Sequence, residues 1–180
     1  MVQTAPHKST MSPRQQDVID KTVSILKKRY GSDPSGHDWF HLEQVWNMAR
    51  KLAKRQHVDQ FVLEMAAILH DMDDYKFKKE GEAPLSQTED ILDQLKVFGR
   101  DRALILDIVS HVSFKGAKVL DRQDSLEGKI VQDADRLEAL GAIGIARTFI
   151  YNGYKGNLLY DPQKKPSFHK SFASYKNTKG

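Results

Sequence analysis

Histidine and aspartate residues stand where apolar helical segments begin or end, and both residue types can bind metal ions. An apolar run over residues 65–69 is followed at once by His70 and Asp71. His41 lies early in another predicted helix, and Asp135 lies inside a third. A buried carboxylate or imidazolium is costly unless it is paired or binds a metal. One divalent cation, held by imidazole nitrogen and carboxylate oxygen, would explain all four residues together.

Each of these residues also has a purely structural interpretation. A single histidine near a helix end is most often a satisfied polar residue or a surface residue. Asp133 and Asp135 could instead form ion pairs with the neighbouring Arg136. The metal interpretation is favoured because the order H…HD…D puts each element on a separate helical segment. A mixed nitrogen and oxygen ligand set suits Mn, Fe, Co, Ni or Zn better than Ca or Mg.

Length and composition indicate one ordinary domain. The chain has 180 residues, enough to bury a real core. Lys and Arg number 28 against 24 Asp and Glu, a mild excess that fits an anionic ligand and is too scattered for a nucleic-acid binder. The absence of cysteine excludes disulfides and thiolate chemistry. No apolar run could span a bilayer and the polar start lacks a signal peptide's apolar middle, so we expect a cytoplasmic protein.

Helical periodicity runs through most of the chain, and no stretch alternates convincingly with period two. Ser12 before a proline, and Asp59, are predicted N-caps, while an S-x-x-E capping box starts at Ser86 and Gly99 ends that helix. This predicts an all-α helical bundle. Six helices are expected, over about 12–30, 39–56, 59–69, 86–98, 101–112 and 125–151. Residues 1–11 are predicted to be a disordered lead, and 12–180 a single domain whose segment 155–180 is irregular.

Four motifs in a fixed order resemble the HD-domain superfamily of metal-dependent phosphohydrolases, and within it the bacterial YedJ/YpgQ-type branch. The motifs are GHDWFH, HDMDDYKF, SHVSFKG and VQDADRLEALGAIGIARTF. The resemblance covers most of residues 12–165, and four ordered motifs are far more specific than an HD pair alone. It implies the family's all-α HD bundle and a metal site whose ligands are His41, His70, Asp71 and Asp135.

The resemblance implies hydrolysis of a phosphate monoester or a nucleotide pyrophosphate bond by a metal-activated water. Mn is the favoured metal among Mn, Ni, Co, Fe and Zn, with Mg as a further candidate. Binuclear HD enzymes have two more histidines between the HD pair and the last aspartate, and here only His111 is present, so we expect one ion. Asp74, three residues past Asp71, is the candidate to orient or deprotonate the water. The alternative for Asp74 is an exposed loop carboxylate paired with Lys76 or Lys78.

Cations should surround the phosphate because negative charge builds on its oxygens in the transition state. Among the motif neighbours, His37, Lys76 and Arg136 are candidate substrate-binding residues. Lys115 is a candidate catalytic cation at the phosphate. His111 is a candidate phosphate contact, proton donor to the leaving group, or additional metal ligand.

Three other functional classes remain open at this point. A non-catalytic nucleotide sensor would retain the metal site without turnover. A nucleic-acid-binding module is suggested only by lysine-rich helix surfaces, which are usually just solvated, and we do not expect nucleic acid as a partner. A di-iron oxygenase would need more histidines.

We expect a small phosphate ester or nucleotide as the partner, and a homodimer is compatible with the sequence. Members of the branch also continue with a further C-terminal helix beyond the region that matches KNTKG.

Overall fold

Seven α-helices, one short 3₁₀ helix and no β-strand make up the part of the chain described by the computed structural model, which confirms the all-α class. The described residues are 11–74, 81, 83–113, 122–163 and 171. None of the helices in these residues is long and apolar enough to cross a membrane. The helices are α1 (Pro13–Tyr30), α2 (Trp39–Leu52), α3 (Gln60–Leu69), α4 (Ser86–Gln94), α5 (Gly99–Val112), α6 (Leu126–Glu138) and α7 (Gly141–Tyr154).

Helix α3 is the centre of the bundle, and α1, α2, α5 and α6 pack around it. Every residue from Phe61 to Leu69 is buried, because this segment is apolar on nearly all sides. Its one buried carboxylate, Glu64, accepts hydrogen bonds of 2.7 Å from the indole Nε1 of Trp46 and the amide of Gln60. The HD pair, His70 and Asp71, directly follows α3, so the end of the central helix places it inside the bundle.

Aspartate N-caps fix the start of the two helices that carry the histidines. The Asp38 carboxylate accepts the backbone N–H of His41 at 3.0 Å, which places His41 in the first turn of α2. Asp59 caps α3 in the same way through the N–H of Val62, as its sequence position predicts. The predicted opening of α1 is also confirmed, since Ser12 forms a capping box with Gln15.

The predicted capping box at Ser86 is wrong. Ser86 is the first residue of α4, so the N-cap of that helix is Leu85. Leu85 has a left-handed backbone and no side-chain capping bond. A residue distant in sequence supplies the cap: the Asp73 carboxylate accepts the backbone N–H groups of Gln87 at 3.2 Å and Thr88 at 2.9 Å. The Thr88 hydroxyl adds a third bond of 2.7 Å. The segment after the HD pair is therefore tied to α4.

Substituting Asp73 by alanine should lower the free energy of unfolding by about 1–2 kcal/mol, since the start of α4 loses its carboxylate acceptor. Urea unfolding of the metal-free protein measures this change. The exposed Asp90, on the same helix, is the matched control, and its alanine variant should differ from wild type by no more than about 0.5 kcal/mol. Equal stability of the two variants would contradict the capping role.

Three further predicted boundaries are corrected by the structure. Gly99 begins α5 instead of ending α4, with φ of +65°, and α2 ends at Leu52 with a separate 3₁₀ turn following it. The long helix predicted over 125–151 is two helices, because Leu140 is extended and Gly141 has a left-handed φ of +78°. The chain thus changes direction after α6, and α7 returns toward the turn that precedes α2. Residues 155–163 contain no helix or strand.

Candidate metal centre

The four residues predicted as ligands converge at one point inside the bundle. His41 Nε2 lies 3.3 Å from Asp71 Oδ2 and 3.6 Å from Asp135 Oδ1. His70 Nε2 lies 3.8 Å and 3.5 Å from the same two atoms. One ligand atom from each of His41, His70 and Asp71 can be chosen so that all three lie within 4.8 Å of one another. The start of α2, the end of α3 and the middle of α6 therefore meet here.

His70 is fixed in the tautomer that a metal ligand needs. Its Nδ1 lies 2.9 Å from the backbone carbonyl oxygen of Ala67, which can only accept, so Nδ1 carries a proton. The opposite ring nitrogen, Nε2, is fully buried and has no hydrogen-bond partner in the described part of the chain. A backbone bond of this kind commonly orients metal-binding histidines.

The distances fit a shared cation better than direct hydrogen bonds. The nitrogen–oxygen separations of 3.3–3.8 Å in this cluster are longer than most hydrogen bonds. Two ligand atoms that each lie about 2.1 Å from one ion stand roughly 3.0–3.4 Å apart in octahedral or tetrahedral geometry. His41, His70 and Asp71 can therefore receive a divalent ion with small movements, and Asp135 Oδ1 lies 3.5–3.6 Å from both histidine Nε2 atoms.

Electrostatics in the metal-free cluster are dominated by burial and by the two carboxylates. Burial alone would lower the pKa of His70, but the charge of Asp71 and the contact with Asp135 raise it to about 9. Burial lowers the pKa of His41, although Asp71 partly opposes this. Burial would raise the pKa of Asp71, yet the histidines around it hold that pKa well below its usual value. Without metal, His70 is thus the protonated partner of the carboxylates.

The metal-free protein should lose stability as the pH rises from 6.5 to 9. His70 has a pKa of about 9 when folded and near 6.5 when unfolded, so its contribution is complete below 6.5 and gone above 9. The loss should be about 3 kcal/mol. Urea unfolding in chelator at pH 6 and pH 9.5 measures it, and a His70→Gln variant should show little change over this window. An unchanged wild-type stability would contradict this electrostatic picture.

The predicted water-activating residue, Asp74, is buried with 5% of its surface exposed, so it is not an exposed carboxylate, while its alternative pairing with Lys76 or Lys78 falls outside the described residues. It accepts a hydrogen bond of 3.2 Å from the Ser113 hydroxyl at the end of α5. His111 lies two residues before Ser113, with Nδ1 2.8 Å from the Asp107 carbonyl oxygen of its own helix. Arg136 is half-buried next to Asp135. Catalytic roles for these residues stay predictions, and Lys76 and Lys115 lie outside the described residues.

Helix α7 contributes side chains to the centre that the sequence analysis did not single out. His37, whose Nε2 lies 3.9 Å from Asp71 Oδ2, packs edge-on against Tyr151 with ring centroids 5.5 Å apart. Arg147 Nε donates a hydrogen bond of 2.6 Å to the carbonyl oxygen of Gly36. The one sign of this placement in the sequence was that Arg147 belongs to the same motif as Asp135. The direction of α7 could not be predicted, because it depends on the left-handed backbone of Gly141.

A small cavity of about 70 Å³ opens beside Asp71. This volume holds a few water molecules, whereas ligand sites for drug-sized molecules enclose several hundred Å³. A ligand of nucleotide size would not fit within this cavity alone. The residues that line the cavity are Tyr30, Asp33, Ser35, His37, Leu42, Asp71, Met72 and Gln87.

Sequence comparison places this chain among known relatives. Residues 39–140 match the family model for the HD domain. YpgQ, an uncharacterized protein of Bacillus subtilis, is 37% identical over 141 residues, which cover 76% of this chain and 67% of YpgQ.

Solved structures of similar chains have the same fold. A Lactobacillus plantarum protein aligns with a TM-score of 0.79 and 34% identity, covering 95% of this chain and 78% of that chain. A Bacillus thuringiensis HD-superfamily hydrolase aligns with a TM-score of 0.61 and 41% identity, over 84% and 73% of the two chains. The crystal structure of YpgQ in complex with ADP aligns with a TM-score of 0.62 and 35% identity, over 81% and 73%.

Proposed function

This chain belongs to the HD domain family, and from that premise we propose that it is a metal-dependent phosphohydrolase acting on nucleotides. The observation that supports this most is the buried Nε2 of His70. It has no hydrogen-bond partner among the described residues, and it faces two carboxylates at 3.5–3.8 Å. A nucleotide substrate is suggested by the similar YpgQ, which was crystallised in complex with ADP.

In this proposal His41, His70, Asp71 and Asp135 hold one divalent ion. The bound ion supplies a water of lowered pKa and a Lewis acid at the phosphoryl oxygens. Mn is the favoured metal because two imidazoles and two carboxylates form a mixed nitrogen and oxygen set, which also suits Ni, Co, Fe or Zn. We further expect a cytoplasmic protein, and a homodimer remains a compatible assembly.

The chain's own residues divide the remaining work. Asp74 orients the attacking water or accepts its proton. It is buried, and it follows the proposed ligand Asp71 by three residues. His37 and Arg136 contact the phosphoryl oxygens, with Lys76 assisting them. Lys115 is a further cation at the phosphoryl oxygens, and His111 contacts the phosphate or donates a proton to the leaving group.

A substrate screen tests the proposed function. The purified protein is loaded with Mn²⁺ and offered nucleoside mono-, di- and triphosphates, with the products separated and identified. We expect turnover, and the phosphorus product identifies the bond: pyrophosphate from a triphosphate means pyrophosphohydrolysis, whereas orthophosphate means cleavage of a terminal or monoester phosphate. The Asp71→Asn protein, prepared in the same way, excludes a contaminating phosphatase. Tight nucleotide binding without any product would instead favour the sensor function.

A further inference from the structure

Arg147 of α7 is anchored at the edge of the candidate metal centre by a single backbone contact. Its Nε donates 2.6 Å to the carbonyl oxygen of Gly36. The next residue, His37, reaches to 3.9 Å from Asp71 Oδ2. Gly36 has a left-handed φ of +84°, and a Cβ there would lie 3.5 Å from the Ile150 side chain. Helix α7 therefore lies directly against this turn, and the guanidinium lies next to the centre.

The terminal nitrogens of Arg147 have no role in that contact. Within the residues that the structure describes, the Nε bond is the one hydrogen bond of this side chain, and Nη1 and Nη2 donate none. The side chain is half-buried, so its charge is only partly solvated. A guanidinium whose Nε is occupied still presents two parallel donors at its far end, and that fork matches the oxygens of a phosphate.

Among the residues that the structure describes, no carboxylate pairs with the charge of Arg147. The carboxylates of the centre, Asp71 and Asp135, form their ion pairs with histidines. The guanidinium is nevertheless close enough to His41 to help lower the pKa of that imidazole. A fixed positive charge beside the centre, which no carboxylate in the described part of the chain pairs with, is suited to an anionic ligand.

We propose that Arg147 is a substrate-binding residue whose Nη1 and Nη2 donate to two non-bridging oxygens of a phosphoryl group at the metal centre. Nε keeps its bond to Gly36 throughout, which holds the fork in place at little cost in side-chain entropy. The ligand class is a phosphate monoester or the phosphate chain of a nucleotide. This inference rests on the proposed function, because it places the phosphoryl group at the same centre.

Inorganic phosphate is the probe for the test. The Mn²⁺-loaded protein is titrated with phosphate, and binding is followed by the broadening of the ³¹P signal. Mn²⁺ affinity is measured separately from the free-ion electron paramagnetic resonance signal. We expect Arg147→Ala to weaken phosphate binding about 10- to 100-fold, and Arg147→Lys, which keeps the charge and loses the fork, to weaken it less. Mn²⁺ affinity of Arg147→Ala should be equal or higher, because a positive charge near the cation is removed.

The matched control is Arg100→Ala, since Arg100 is an exposed arginine at the start of α5 and should not change phosphate binding. Unchanged phosphate affinity in Arg147→Ala overturns the inference, as does a wild-type protein that binds Mn²⁺ and no phosphate. A joint loss of phosphate and Mn²⁺ binding also overturns it, because Arg147 would then only support the turn at Gly36 and His37. Failure of the proposed function is a separate result: phosphate binds as expected, and the nucleotide screen yields no product.

Discussion

Asp71→Asn protein should be purified without metal and should turn over substrate at least ~100-fold more slowly than wild type. Asp71 Oδ2 is close to three imidazoles of the centre. It lies 3.3–3.9 Å from the Nε2 atoms of His37, His41 and His70. An amide oxygen carries no charge, so it is a much weaker ligand for a divalent ion. Loss of a group that merely orients a ligand typically costs ~10–100-fold in metal affinity, and loss of a ligand itself should cost more.

Elemental analysis and the nucleotide assay measure the two effects together. The matched control is Asp133→Asn, because Asp133 is an exposed aspartate on α6, two residues before Asp135. It should retain metal and activity. If Asp71→Asn retains full metal content, Asp71 is not a ligand. If it loses metal and remains fully active, the reaction does not depend on this centre.

The convergence of the centre could be anticipated because each of its four residues lies at a definite position in a predictable helix. His41 stands three residues after the cap Asp38, and His70 directly follows the apolar helix α3. A helix that is apolar on nearly all sides lies in the core, so a polar pair that directly follows it is expected to start from the core. The sequence could therefore predict which residues meet, since burial leaves them few other partners.

Contacts made across long sequence separations could not be anticipated. The cap of α4 comes from Asp73 and bonds Thr88, fifteen residues later, although the local S-x-x-E pattern at Ser86 predicted a self-contained cap. The direction of α7 depends on the left-handed backbone of Gly141. Without that turn, Arg147 would continue along α6 instead of reaching Gly36, 111 residues earlier in the chain. Local propensity does not determine either arrangement, because both depend on tertiary packing.

Under the proposed function, Arg147 and the small cavity favour a substrate on the α7 side of the centre. The cavity beside Asp71 is too small for a nucleotide at about 70 Å³, whereas α7 presents an aromatic ring and cationic groups at the surface over the centre. Lys155 Nζ lies 5.4 Å from the ring of Tyr151, which itself packs on His37. A phosphate chain approaching along α7 would meet these groups before it reached the centre.

Asp74→Asn should lower kcat by ~10²–10⁴-fold and leave metal content unchanged, the second largest effect expected. Asp74 is buried, and its backbone N–H donates 3.3 Å to the Asp71 carbonyl oxygen, so one short turn separates it from the HD pair. In the proposed function its carboxylate acts on the water and is not a ligand. Asparagine has nearly the same shape and can still accept the Ser113 hydroxyl, so the fold should be retained. The proton-accepting oxygen is lost, and positioned general bases typically contribute a factor of that size.

The neighbouring carboxylate, Asp73, provides a matched control for the Asp74 variant. Asp73→Asn changes the adjacent residue, whose carboxylate caps α4, so it should lower stability and leave kcat nearly unchanged. Rates at saturating substrate, metal analysis and urea unfolding on both variants separate the two roles. A wild-type kcat in metal-loaded Asp74→Asn would remove Asp74 from the mechanism. Loss of metal in that variant would instead make Asp74 part of the metal site, because a base that acts only on the water leaves the ion in place.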